Sequence, residues 1–456
     1  MKKIALIALA LIMVFTLVAC NGAPAKTTTA EPAKTDAPAD KTEAPAADTT
    51  TAAAETPTET EAEAAASGDT LKIGLIFPLS GSNADQGVFN VDGAKLAVED
   101  INNAGGIKAL DGRKLELVVY DNESDSDKSK VVAERLLTEH PDVIAVHGAS
   151  ASAYVLPMLS TFEKYETPFL TAQTSETITS QGYKYAFAFA AQSPQFAQTQ
   201  VDMLLWLNET YGTNITKIGV VYEDTEWGLT NSKAARESVK KAEGLELVYD
   251  QSYTASSADL SSIVVGLMNA GVEVVFPTSY TQDAKLLFNT MYSNNYHPLI
   301  IGGGAGFLYP VFASDLGDLV DGVLSVASHN YDAKTILDNE KFADVGKRFE
   351  EKYNYFMPEQ GVSAYNAVYL VSQALENAKT TDKAAVRDAI RALTITSLTP
   401  GGALSFQENG WNKNGVAVMV QWQKDDDGVF RPHTVFPASE KTVDFQLTDL
   451  IKEKQD

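Results

Sequence analysis

Hydrophobic positions along the chain switch repeatedly between a period of two and a period near 3.6. Leu71, Ile73, Leu75 and Phe77 recur at every second position and predict a strand. Pro78-Leu79-Ser80-Gly81-Ser82 turns the chain. Ala94, Ala97, Val98 and Ile101 then fall at i, i+3, i+4 and i+7 of a helix that Gly105-Gly106 ends. The same reading predicts a strand over 115–120, a helix over 128–139 after a Ser126 or Asp127 cap, and a strand over 143–147. A helix over 154–165 and a strand over 169–171 follow. After Pro194 a second series begins with helix 196–211, strand 218–222, helix 229–243 and strand 245–249. It continues with helix 259–269, strand 272–277, helix 282–292 and strand 299–302. Near the end, 416–423 and 429–435 read as strands joined by a hairpin turn at Asp425-Asp426-Asp427-Gly428. Strand–helix alternation of this length predicts an α/β fold: parallel sheets with helices on both faces, twice over. No fixed-period repeat is present, so the chain is not a solenoid.

In such sheets ligands sit beyond the carboxyl ends of the strands, near the point where strand order reverses. Two of the expected loops there are small and rich in hydroxyls: Gly148-Ala149-Ser150-Ala151-Ser152 and Ala172-Gln173-Thr174-Ser175. Backbone N–H groups, hydroxyl donors and a helix start can hold an anion without a fixed positive charge. Ser and Thr also cap helices, which would explain either loop alone; two alike at adjacent strands favour a shared polar or carboxylate ligand. The second series ends its strands on Glu223-Asp224-Thr225-Glu226-Trp227-Gly228 and Thr278-Ser279-Tyr280. Trp227 and Tyr280 either pack under a loop or form aromatic walls facing the hydroxyl loops.

The first seventy residues have a different character. Lys2 and Lys3 precede the apolar run from Ile4 to Val18, too short for a comfortable span and suited to a signal peptide over 1–19. Leu17-Val18-Ala19-Cys20 resembles a bacterial lipobox, so Cys20, the single cysteine, is the expected lipidation site. The alternative is an ordinary signal peptide with a chance cysteine. Two or more acyl chains would tether the protein stably to the extracytoplasmic face of the cell membrane. Residues 20–69 are Ala, Thr, Pro, Glu and Asp-rich and are expected to be a disordered linker reaching about 40 Å. The net charge of −24 argues against nucleic acid and anionic lipid as partners. The nearly four hundred residues that follow exceed one core and suggest two lobes.

Catalytic chemistry finds little support. The segment 148–152 approaches the G-x-S-x-G elbow of hydrolases, but Ser152 stands at the closing glycine, and the five histidines are scattered. No catalytic residue is assigned. Asp121, Glu123, Asp125 and Asp127 read as a solvated acidic turn rather than a calcium loop, and no metal site is expected. The glycines of 302–306 do not fit a dinucleotide fingerprint and no Walker lysine follows, so no cofactor is expected.

Several segments together carry a family resemblance: Lys72-Ile73-Gly74-Leu75-Ile76-Phe77-Pro78-Leu79-Ser80-Gly81, Gly93 through Ile107, Gly112 to Asp125, and Val362-Ser363-Ala364-Tyr365-Asn366-Ala367-Val368-Tyr369. In this order they resemble the type I periplasmic binding proteins of ABC importers, within them the branched-chain amino-acid (Leu/Ile/Val) binding group, over 71 to about 436. The resemblance implies a clamshell of two doubly wound lobes joined by three hinge crossovers, near 190–193, 325–328 and 400–403. Lobe 1 would be 70–191 plus 327–402, and lobe 2 would be 192–326 plus 403–445. It implies capture of a small carboxylate-bearing solute, an amino acid or a related compound, and delivery to an ABC permease. A sensor feeding a membrane receptor would use the same fold. The resemblance places the ligand carboxylate on Ser152, Ser175 and the backbone of Gln173, beside Ser150, and places Trp227 and Tyr280 on the second lobe. One departure stands out. Where leucine-type members hold the ligand ammonium with an acid, this chain has Gly304. Either another acid, such as Glu223, Asp224 or Glu226, takes over, or the ligand lacks an ammonium, as an amide, a urea-like compound or an aromatic acid would.

Overall fold

Five strands, β1 (Leu71–Phe77), β2 (Leu115–Asp121), β3 (Ala145–Gly148), β4 (Phe169–Thr171) and β5 (Ala186–Ala188), make an all-parallel sheet in the order β2-β1-β3-β4-β5. The coordinates are a computed structural model, and the structure describes residues 70–449. The expected signal peptide, Cys20 and the linker lie outside the described residues. A second sheet contains β6 (Lys217–Glu223), β7 (Glu246–Tyr253), β8 (Val274–Thr278), β9 (Leu299–Gly302) and β10 (Leu324–Ala327). These five run parallel in the order β7-β6-β8-β9-β10. β11 (Thr394–Thr396) and β12 (Ala403–Ser405) form a separate antiparallel ribbon. β13 (Val418–Lys424) and β14 (Phe430–Phe436) are the expected hairpin, and it extends the second sheet antiparallel beyond β10. The α/β two-lobe expectation therefore holds, with a mixed rather than purely parallel second sheet.

The inner parallel strands are nearly continuous apolar runs, because helices cover both faces of each sheet, whereas the edge strands β2 and β7 stay partly exposed. β1 reads LKIGLIF and β8 reads VVFPT, and each is buried along nearly its whole length. Helices Ala84–Asn103 and Glu359–Ala378 cover one face of the first sheet, with Leu75, Phe77, Val368 and Leu375 in one core. Their axes approach closely because Gly93 faces Gly361. A Cβ on Gly93 would lie 2.1 Å from the Gly361 carbonyl oxygen. Helices Ser193–Tyr211 and Glu226–Lys241 cover one face of the second sheet, and Ser261–Asn269 with Thr281–Ser293 cover the other.

Local departures have local causes. The helix expected over 154–165 is split into Ser152–Val155, a 3-10 turn Leu156–Met158, and Leu159–Lys164. Pro157 lacks an N–H and its ring crowds the preceding turn. The cap expected at Ser126 or Asp127 is Asp125, whose carboxylate accepts from the N–H groups of Asp127 and Lys128. The chain leaves the first sheet after β5 and, after β10, comes back to pack the helix Glu359–Ala378 against it. The third passage, expected near 400–403, comes later: Trp411 bridges to Ala188 and Asn412 N donates to the Ala188 oxygen, so the chain still follows the first sheet at that point.

Candidate functional site

Each parallel sheet reverses strand order once, between β1 and β3 in the first and between β6 and β8 in the second. The loops beyond these strands' carboxyl ends are where a ligand is expected. They carry Ser150 and Ser152 after β3, Trp227 after β6 and Tyr280 after β8. The two lobes meet at these ends around a small, partly open cavity of about 30 Å³. Ser150, Gln173 and Thr174 line it from the first lobe, and Phe196, Trp227, Tyr280 and Ala305 from the second. Ser328, Glu359 and Gln360 close it beside the hinge.

The polar wall is held in place by hydrogen bonds from neighbouring elements. Ser150 Oγ accepts from Asn90 Nδ2 at 3.2 Å, and that amide also donates to the Gln86 carbonyl at 2.8 Å. The Thr174 carbonyl accepts from Ser193 N at 3.1 Å, which ties the second hydroxyl loop to the start of the following helix. The aromatic wall is a tilted Trp227–Tyr280 pair with ring centroids 5.1 Å apart, and both residues are buried. Burial pushes the Tyr280 hydroxyl well above its ordinary range, with the Glu223 carboxylate adding to the effect, so it stays protonated and able to donate. Thr225 Oγ1 lies 3.3 Å from it.

Three of the expected residues are not on the cavity wall. Ser152 is fully buried and its hydroxyl has no hydrogen-bond partner; it starts a helix of only four residues. Ser175 Oγ accepts from Thr177 N and donates to Glu226 Oε1 at 2.7 Å, a bond from the first lobe to the second. Gly304 sits behind the wall with φ +103°, and a Cβ there would be 3.2 Å from the Phe196 ring and 3.9 Å from Trp227. A second clasp joins the lobes where Thr281 Oγ1 donates to Asp85 Oδ2 at 2.9 Å.

The three acids considered as substitutes for the missing one also lie away from the cavity. Glu223 caps the helix Glu226–Lys241, accepting from Thr225 N at 2.5 Å and Gly228 N at 2.6 Å. Its burial raises the carboxyl to about 7. Asp224 accepts from Ala255 N at 3.0 Å, and Glu226 is taken by Ser175. The acid that does reach the cavity is Glu359, first residue of its helix, and the sequence reading missed it. Its Oε1 accepts from Ser328 N at 2.7 Å and from Ser328 Oγ at 2.6 Å. Burial raises its pKa, and those Ser328 donors with the His329 N–H partly offset the rise. Ser328 Oγ is also 3.0 Å from His329 Nδ1, but a hydroxyl already donating to a carboxylate cannot also hand its proton to that ring. Among the described residues no group of three His, Cys, Asp or Glu is placed to hold a metal ion.

A larger groove of about 400 Å³ lies elsewhere, lined by Tyr292, Tyr296, His297 and Leu319 beside Leu299, the first residue of β9. It is at the amino end of that strand, away from the reversal of strand order.

The periplasmic binding protein family profile matches residues 70–427. The Leu/Ile/Val-binding protein homolog 8 of Brucella abortus (strain 2308) is 30% identical over 380 residues, covering 81% of this chain and 91% of the relative. The chain belongs to the periplasmic binding protein family. Homolog 7 of the same organism is 29% identical over 401 residues, covering 85% of this chain and 96% of that protein. Among solved structures, the branched-chain amino acid transporter substrate binding protein LivJ of Streptococcus pneumoniae, in complex with isoleucine, superposes with a TM-score of 0.68 at 23% identity. It covers 81% of this chain and all of that one. The leucine binding protein LivK of Thermotoga maritima gives 0.69 at 20% identity, over 81% of this chain and 99% of its own. These likenesses speak to the fold: two parallel-sheet lobes of the type I binding-protein kind. The relatives are binding proteins rather than enzymes, as the weak catalytic signals in the sequence suggested.

Proposed function

We propose that this binding protein captures a small amino acid of the branched-chain type between its lobes and delivers it to an ABC permease. It would do so while anchored through Cys20 to the extracytoplasmic face of the cell membrane. The observation that carries this reading is the cavity itself. Hydroxyls and amides of Ser150, Gln173 and Thr174 stand on one side, and the apolar faces of Phe196, Trp227 and Tyr280 on the other. That division suits a guest with a charged head and an apolar tail. The names of the Brucella relatives support the same solute class. Ser150, with the Gln173 backbone, would hold the carboxylate. Ser175, bound to Glu226, would act in closure rather than in direct contact.

Binding selects the closed form only through contacts absent from the open one. A thermal-shift panel of amino acids, carboxylates, amides and ureas tests the assignment. A solute at a hundred times its Kd adds about 2.7 kcal/mol of stability. Leucine, isoleucine or valine should give the largest shift; an amide or urea giving the only shift would overturn the reading. Cys20→Ser should release the protein from the membrane, and retention of that variant would remove the anchor.

A further inference from the structure

We infer that Glu359 is the ammonium-binding residue of the cleft, supplying the negative charge that the glycine-rich turn after β9 lacks, so that both charged groups of an amino acid are held by the first lobe. This rests on the amino-acid reading above and adds a specificity-determining residue to it.

Two structural facts meet here. The turn after β9 carries no acid where Gly304 stands, and a side chain there would be strained. Its φ of +103° is a conformation that side chains rarely adopt, and a Cβ would press on Phe196 at 3.2 Å. Meanwhile Glu359, only 9% exposed, lines the cavity wall. Among the described residues no Lys, Arg or His lines that wall, and no cationic side chain forms an ion pair with Glu359. His329, next to the Ser328 that bonds Glu359, is held neutral by its burial.

A buried carboxylate satisfied only by hydroxyl and N–H donors remains short of a countercharge, and a cationic guest group is the partner that completes it. Ser328 fixes the carboxylate through Oε1 with two bonds, which orients it before any guest arrives. The helix that carries it is held against its neighbour by the Gly93–Gly361 contact, so the charge sits on a rigid element. With the ammonium at Glu359 and the carboxylate at Ser150 and Gln173, the side chain of an α-amino acid points to Trp227, Tyr280 and Phe196. A carboxylate solute without an amine leaves Glu359 unpaired and is discriminated against.

The test is calorimetric titration of the full chain with L-isoleucine and with 3-methylpentanoate, which differs only by the amine. The wild type should bind isoleucine at least about 30-fold more tightly, the scale of losing one partner of a buried charge pair. Glu359→Gln, which keeps an acceptor for Ser328, should lose most of that preference while still binding 3-methylpentanoate, the sign that it folds. If Glu359→Gln does not fold, the wild-type ratio alone decides, and a ratio near one overturns the inference. An unchanged isoleucine affinity in folded Glu359→Gln also overturns it, with the amino-acid reading left intact. A wild type that binds neither probe removes that reading and this assignment together.

Discussion

Closure of the clamshell should depend on contacts that never touch the guest, and Thr281 offers the cleanest case. Its Oγ1 donates to Asp85 Oδ2 at 2.9 Å, and neither residue lines the cavity. Asp85 is partly buried, and burial already raises its pKa against the opposing effects of Thr281, the Gln86 N–H and Lys285. Thr281→Val keeps the side-chain shape and removes the hydroxyl that crosses from the second lobe to this carboxylate. When the lobes are apart, water replaces the bond; when they are together, the variant leaves a desolvated carboxylate short of one donor. A hydrogen bond to a charged group is worth about 1.5–3 kcal/mol. Charged wholly to the closed form, that loss weakens binding by about ten- to a hundredfold. Isothermal titration with L-isoleucine reads it directly, with Thr281→Ser as the control that keeps the hydroxyl and should stay close to wild type. A Kd for Thr281→Val within twofold of wild type would mean that the Asp85 contact does not contribute to closure, and the clasp would have to be abandoned.

Two further outcomes follow from other contacts. Glu223 is raised from 4.5 to about 7 in the folded chain, so the folded state keeps a proton that the unfolded state releases. Its stabilising contribution is present below pH 4.5 and is lost as pH rises through 7, by about 3 kcal/mol. Denaturant titrations of wild type and Glu223→Gln across that range should therefore diverge with pH, and a constant difference would refute the assignment. Gly93→Ala should lose about 1–3 kcal/mol of stability, because its Cβ would meet backbone at 2.1 Å rather than a yielding side chain. The same variant should weaken isoleucine binding by displacing Glu359, and wild-type values for both would show that the helices can part freely.

Legibility in the sequence followed locality. β1, β4 and β9 were readable because each is a short apolar run between turn residues, and their bounds coincide with the structure. The loops that follow such strands were readable for the same reason, and Ser150, Gln173, Trp227 and Tyr280 do meet around one cavity. Glu359 was not readable. It follows Met357-Pro358, far along the chain from the other wall residues, and only the close packing of two helices brings it to the site. A lone acid at the start of a helix looks in sequence like a favourable dipole partner and nothing more. Ser175 illustrates the opposite failure. Its loop composition suggested a ligand donor, but the hydroxyl is taken by Glu226 across the cleft, a pairing of residues fifty-one apart that no local pattern encodes. The late third passage has a similar origin, since Trp411 and Asn412 follow the first sheet through bonds to Ala188 and Phe189.

The most direct test of the account is a crystal structure of the chain grown with saturating L-isoleucine. The account places the solute between Ser150 and the Trp227–Tyr280 pair, with its ammonium against Glu359. Isoleucine seated instead in the groove beside Tyr292 and Tyr296, or bound with its amine turned away from Glu359 toward the second lobe, would contradict it.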